Sequence, residues 1–321
     1  MERKDLVLIG HFALDTIINT LTNSTGHSLG GGVTYGSLAA AYFDPKAAIG
    51  VVSRIGADFD RNLLSIFQGH NIDLSGIVQE GPHSTRFQLT YHKNGRDLKS
   101  TSRAPPFKIT DFPKSFIHAK AIHMTPIANE FTTEFIEDLA NHDLTQDSLI
   151  GIDVQGIIRD FTADGSVIMR NDPQIRAKVY RILQHFGERM IFKASDMEAV
   201  AVTGITDLIK ATEYLAATGA YIYTTMGGKG LYFKAPNHPI INLAAYSPDR
   251  CVDETGCGDC FMAVLLLQLA QIPHRDRTYE KIIEVTKNAS AAASFLIEEK
   301  GPNGFHSKTA ILERVKANKT L

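Results

Sequence analysis

Residues 253–270 read DETGCGDCFMAVLLLQLA. Gly256 and Gly258 stand just ahead of Asp259, and a long apolar run follows at once. Glycine reaches backbone angles denied to other residues, so this stretch is expected to turn sharply and open a helix. The first N–H groups of a helix have no intrahelical partner. With the helix dipole they make an anion site suited to a phosphoryl group in transfer. A carboxylate placed there, Asp259, can take a proton from an attacking hydroxyl. The simpler alternative is an N-capping aspartate before a core helix, but a cap needs neither glycine.

Cys257 and Cys260 in the same stretch form a C-x-x-C pair at a helix start. That position lowers a thiol pKa and suits a redox couple, or half of a zinc site. No second C-x-x-C accompanies it, and the chain holds only three cysteines, all between 251 and 260. The plainer reading is that both pack as small apolar residues. Three clustered cysteines are not a disulfide framework.

Outward from this stretch, short apolar or β-branched runs alternate with segments of helical period. Residues 5–10, 46–56, 119–126, 148–156, 189–195 and 220–228 read as buried strands. Residues 134–142, 175–187, 209–219 and 281–297 read as helices. Alternation of this kind predicts a parallel sheet covered on both faces, with ligands at the carboxyl ends of its strands. Residues 85–106 break the rhythm: apolar and polar positions alternate around Asn94-Gly95, a strong hairpin signal. Such a hairpin is either a plain edge feature or a small lid over the site.

Bulk properties narrow the function classes. The chain has 321 residues, 44% of them hydrophobic, with 33 Lys and Arg against 35 Asp and Glu. That charge balance gives nothing to draw it onto nucleic acid or an anionic membrane. The run CFMAVLLLQLA (260–270) is shorter than a membrane span needs. The N-terminal residues read as a first strand and not a signal peptide, so a cytoplasmic location is expected.

Three further clusters bear on chemistry. Residues 29–41, LGGGVTYGSLAAA, follow a Ser-, Thr- and Asn-rich segment expected to be a loop, and lead into a small-residue helix. The glycines there either permit close packing or let a substrate approach the backbone. TMGGKG (225–230) follows a strand and is either a plain turn or a nucleotide contact. In KASDMEA (193–199), Glu198 sits just after a strand; it is either a solvated surface group or, near phosphates, a Mg²⁺ contact through water.

In this order along the chain, these residues resemble the ribokinase-like (PfkB-type) carbohydrate kinase family, over nearly the whole length. Gly31 and Gly32 leading into Ser37-Leu38-Ala39-Ala40 match its first signature. Asp253, Thr255, Gly256, Gly258 and Asp259 match D-x-T-G-x-G-D, and Thr225, Gly227 and Gly230 match T-x-G-x-x-G. Glu198 matches N-x-x-E, with Ser195 where Asn is usual, and Asp15 matches the substrate-binding aspartate.

The resemblance implies one domain, residues 1–321, built as a three-layer α/β/α sandwich with a mainly parallel central sheet. A small β-sheet lid would come from about 11–30 and 84–106. MgATP would be the donor and Asp259 the base, with the N–H groups of Gly256, Cys257, Gly258 and Asp259 as an anion hole. Ser195, Glu198, Thr225, Gly227 and Gly230 would face the nucleotide, and Glu198 would reach Mg²⁺ through water. Asp15, Gly31 and Gly32 would hold the acceptor, a small polyol or sugar. A monovalent cation such as K⁺ near Asp253 and residues 298–307, and a homodimer through the lid, are further implications.

Gly36 stands where many sugar kinases of the family have an acceptor-binding Asn. Residues 102–106, 152–161 and 192–199 look closest to the myo-inositol kinase branch and its archaeal relatives, adding Gln155 and Arg159 beside Asp153 as cleft residues. Myo-inositol is therefore the expected acceptor. A cytidine or adenosine kinase of the same family is the alternative, with Phe12, Tyr35, Phe87 and Tyr91 as candidate walls for a base. A non-catalytic nucleotide or sugar sensor is a third reading.

Overall fold

In the computed structural model, residues 3–93, 95–116, 118–142 and 147–321 are described. Asn94 of the expected Asn-Gly turn lies outside them. The strands are β1 (Leu6–Ile9), β2 (Ala13–Asn19), β3 (Ser24–Gly30), β4 (Ile49–Ile55), β5 (Ile72–Gln79), β6 (Thr85–His92), β7 (Gly95–Ser102), β8 (Ala121–Met124), β9 (Leu149–Asp153), β10 (Arg159–Phe161), β11 (Val167–Met169), β12 (Met190–Ser195), β13 (Tyr221–Thr225), β14 (Leu231–Lys234) and β15 (Ile241–Leu243). The helices are α1 (Gly32–Phe43), α2 (Thr133–Asn141), α3 (Pro173–Phe186), α4 (Asp196–Thr203), α5 (Leu208–Ala216), α6 (Cys257–Gln271), α7 (Tyr279–Leu296) and α8 (Lys308–Ala317).

Nine strands form one sheet in the order β15-β14-β13-β12-β9-β8-β1-β4-β5. It is parallel from β5 through β13, and β14 and β15 turn back antiparallel at one edge. The period-2 rule sorts its side chains into two cores. In β1, Leu6 and Leu8 join α1, α6 and α7 on one face, while Val7 and Ile9 join the core of α2, α3, α4 and α5 on the other. Two helix layers around a sheet make the expected three-layer sandwich.

Four strands form a second sheet, β3-β2-β6-β7. The hairpin of 85–102 pairs through β6 with β2, in parallel. The polar segment before Gly30 is not a loop: it is β3, an edge strand paired antiparallel with β2 over seven residues. Its Gly26 and its polar Ser and His residues give no strand signal, but the pairing supplies the order and water accepts the outer face. One face of this sheet carries Ala13, Phe87 and Leu89, which pack on Ile127 and Ala128 beyond the end of β8.

The two sheets meet at crossing segments around His11, Thr85 and Ala104. Buried His11 shares hydrogen bonds with the Pro105 carbonyl (3.0 Å) and Thr85 Oγ1 (2.8 Å), and Thr85 Oγ1 accepts from Ala104 N (3.0 Å). The Glu130 carboxylate accepts from the backbone N–H of Ile127, Ala128 and, at 3.4 Å, His11. No described helix is long and apolar enough to cross a membrane.

Candidate active site

The helix predicted after Gly258 is α6, and its N-cap is Gly256, at φ +79°. A side chain there would need a rare backbone conformation and would also collide with the buried Tyr35 ring. Cys257 N–H donates weakly to Glu254 O (3.3 Å), and Cys260 N–H donates back to Gly256 O (2.8 Å). Among the described residues, the N–H groups of Gly256, Gly258 and Asp259 have no protein partner, so the polar end of α6 faces the cleft.

The segment Gly30-Gly31-Gly32 passes between two carboxylates. A Cβ on Gly30 would fall on the Asp15 carboxylate, and one on Gly32 would lie 2.5 Å from Asp259 Oδ1 and 2.6 Å from Thr125 Cβ. Gly31 caps α1 at φ +91° with its backbone pressed against His11 O. The triple glycine is thus a matter of room as much as of turn geometry. Gly36 is a packing residue: a Cβ there would meet Leu8 at 2.5 Å and Ala263 at 3.3 Å, so no Asn fits between α1 and the sheet.

Desolvation within the cleft is the largest influence on Asp259, and neighbouring Asp153 adds to it; together they push its pKa up to about 7 against the pull of Lys193 and Arg159. Asp15 is also raised to about 7 by desolvation, opposed by Arg159 and Arg96. Both side chains stay half-buried, so water still screens them in part. A carboxyl poised near neutrality suits proton transfer at physiological pH.

The ends of β9, β12 and β13 bring the next residues together. Ser195 pairs with Thr225 in register, and Asp153 with Lys193. Ser195 and Glu198 form a capping box on α4: Ser195 N–H donates to Glu198 Oε2 (2.7 Å) and Glu198 N–H to Ser195 Oγ (3.3 Å). Desolvation and then Asp153 raise the Glu198 pKa. Gly227–Lys229 is a single tight turn, closed by Met226 N–H to Gly230 O at 2.8 Å. Arg159 opens β10, donates to Ile127 O (2.8 Å) and lies 5.9 Å over the Phe87 ring of the small sheet. Gln155 N–H donates to Asp153 Oδ1 (3.2 Å).

Two readings of the cysteines lose their support. Burial, then Glu254, Asp253 and Asp259, push the Cys257 thiol up to about 12, and Cys260 is raised by burial too. The helix end therefore does not activate them. No group of three or more His, Cys, Asp or Glu residues among the described residues is placed to hold a metal.

Sequence reasoning missed Lys193, whose ammonium donates to Asp153 Oδ2 at 2.6 Å beneath α6. It also missed Thr125 and His123. A signal was present: Lys193 and His123 are polar residues inside otherwise apolar strand runs, MIFKAS and AIHM.

Residues 168–309 match the pfkB family carbohydrate kinase. The matched stretch is thus similar to a PfkB-type kinase. A cytidine kinase of Thermococcus kodakarensis is 26% identical over 260 residues, 80% of this chain and 85% of that one. Among solved structures, the fructokinase of Xylella fastidiosa with bound ATP gives a TM-score of 0.80 at 15% identity, covering 98% of this chain and 99% of its own. A pyrophosphate-dependent kinase of the ribokinase family, complexed with a pyrophosphate analog and myo-inositol, gives 0.74 at 21% identity, covering 97% and 99%. Together with the named kinase relatives, the match indicates a phosphotransferase acting on a hydroxyl group of a sugar or nucleoside.

Proposed function

We propose that this kinase transfers the γ-phosphoryl group of MgATP to a hydroxyl of a cyclitol or sugar, with myo-inositol as the favoured acceptor. The observation that carries the reading is the passage of Gly30-Gly31-Gly32 between the carboxylates of Asp15 and Asp259. A small polyol lying on that backbone meets an acceptor for its hydroxyl protons on either side. Asp15 orients the polyol by hydrogen bonds, and Asp259 takes the proton from the hydroxyl that attacks. The N–H groups at the start of α6 hold the charge that builds on the transferred group.

Ser195, Thr225 and the turn 227–230 face the donor, and Gly31 and Gly32 supply the floor for the acceptor. Among the described residues, no group of three or more His, Cys, Asp or Glu side chains is placed to hold a metal by itself, which fits a Mg²⁺ ion held mainly by phosphate oxygens and water. Glu198 would contact that ion through water while its carboxylate completes the α4 cap. The Asp253 carboxylate accepts from Thr255 N (3.0 Å) and Gly301 N (3.1 Å), which ties the proposed monovalent-cation region to the base-bearing turn.

Three of the four aromatic residues considered as walls for a base are buried by packing, which supports a polyol. Phe12 packs with Phe59 and Phe67, Tyr35 lies against Gly256, and Phe87 is 5% exposed under Arg159. The Thermococcus kodakarensis relative keeps a cytidine acceptor as the second reading. A phosphate-transfer screen decides: ATP or pyrophosphate as donor, with Mg²⁺, against myo-inositol, ribose, fructose 6-phosphate, cytidine and adenosine. Turnover of myo-inositol with ATP is expected. Turnover of a nucleoside alone would replace the cyclitol reading.

A further inference from the structure

Lys193 and Asp153 are each 7% exposed and lie on adjacent strands, on the sheet face covered by α6. Their ion pair measures 2.6 Å. The Lys193 ammonium lies 2.9 Å from where a Cβ on Gly258 would be, and Asp153 Oδ2 lies 3.2 Å from it. The pair therefore sits directly under the glycine turn that presents Asp259. A buried pair of this kind does not by itself stabilise a fold, because desolvating both charges costs about what their attraction returns. Its position asks for another role.

The surroundings supply one. Asp259 is faced by Asp153 from β9, Glu198 from α4, Lys193 from β12 and Arg159 from β10, while Tyr35 of α1 covers Gly256. Three carboxylates share this small volume. Buried His123 in β8, on the same face, has both ring nitrogens without a hydrogen-bond partner among the described residues. Burial keeps it neutral, its pKa lowered to about 3, so it adds no positive charge. Burial opposes the Lys193 charge, but Asp153 and then Glu198 hold it protonated.

We infer that Lys193 is a positioning residue for the base: its fixed ammonium, held by Asp153, lets Asp259 stand as a carboxylate among like charges at the mouth of the anion site. This rests on the assignment of Asp259 as base. The two halves of the pair then act on Asp259 with opposite sign. Removing Lys193 takes away the larger of two counter-charges on Asp259 and leaves Arg159, so Asp259 keeps its proton to higher pH. Removing the charge of Asp153 takes away a repelling neighbour and leaves the ammonium to Asp259.

The test is the acid limb of kcat/KM against pH in the full-length enzyme, with the best acceptor from the screen. Lys193→Met is expected to move that limb up by one pH unit or more. Its rate at pH 7 then falls at least about fivefold and recovers towards wild type by pH 9. Asp153→Asn is expected to move the limb down, and Lys193→Met/Asp153→Asn to return it near wild type. If Lys193→Met does not fold, Asp153→Asn and the double variant carry the test. A uniform loss at every pH with an unmoved limb, or shifts of the same sign in both single variants, overturns the proposal. Asp259→Asn separates the two layers. Retained turnover there removes the base assignment, whereas a dead Asp259→Asn with an unmoved Lys193→Met limb removes only the role of Lys193.

Discussion

The central strands of the nine-stranded sheet are mostly apolar on both faces, and β1, β4, β8 and β9 are buried along their whole length. The four-stranded sheet alternates: β6 buries Thr85, Phe87 and Leu89, and β7 is exposed or half-buried throughout. Each sheet carries one of the two carboxylates that flank the triple glycine. Asp259 is fixed by α6 on the large sheet, while Asp15 sits on β2 of the small one. The difference teaches a division of labour. The carboxylate proposed as the base is set in dense packing, and the one proposed to hold the acceptor rides on a thinly packed layer. Small apolar cores open locally at lower free energy than large ones, as a cover that admits substrate requires.

The largest expected effect tests the rigid side. Asp259→Asn should lower kcat by a factor of roughly 10²–10⁴ with donor binding retained, measured by steady-state kinetics and calorimetric titration. The same change should raise the melting temperature at pH 8 more than at pH 5. The folded-state pKa of Asp259 lies above its unfolded value, so folding favours the protonated form, and its contribution to stability is lost as pH rises through about 7. An Asn avoids that loss. A lower melting temperature at pH 8 would contradict the electrostatic picture.

Next come paired core truncations that set one sheet against the other. Leu266→Ala removes a fully buried side chain that packs on Gly151 and should cost about 2–5 kcal/mol in denaturant unfolding. Leu89→Ala, in the small core under β6, should fall at the bottom of that range. It should also speed hydrogen exchange in β2, β6 and β7 without touching the large sheet. Equal costs and global exchange would erase the contrast between the layers.

Asp15→Asn should act on binding: acceptor KM rises about tenfold, on the scale of one hydrogen bond to a charged group, while kcat changes little. In the wild type, acceptor affinity should improve as pH rises through about 7, because desolvation holds Asp15 protonated below that. A fall in kcat as large as that of Asp259→Asn would place Asp15 in the chemical step.

The smallest effect is a gain. His123→Leu removes a buried imidazole with both nitrogens unpartnered among the described residues and should stabilise the fold by about 1 kcal/mol. Its folded pKa lies below the unfolded one, so the wild type loses stability as pH falls from about 6.5 towards 3. The variant should resist acid better over that interval in a urea melt at pH 5.

The apolar strand runs and their order were legible because a parallel sheet buried on both faces demands continuous apolar stretches. DETGCGD disclosed a turn, a helix start and a carboxylate together, since only glycines permit that approach. The strand β3 was hidden because its composition is that of a loop, and pairing with β2 alone makes it a strand. The cysteines drew the eye to the C-x-x-C pattern, yet their thiols are buried and raised, a property of packing and not of spacing.

By itself the sequence determined the layered α/β architecture, the glycine turn and the reaction class, because each rests on local periodicity or on backbone freedom that a few residues specify. Only the tertiary structure decided what surrounds Asp259. Asp153 and Lys193 are 40 residues apart in the chain, and Gly258 is farther still, yet they meet within about a hydrogen bond's length. Like-charge repulsion and its compensation depend on distance through space, which no spacing along the chain encodes.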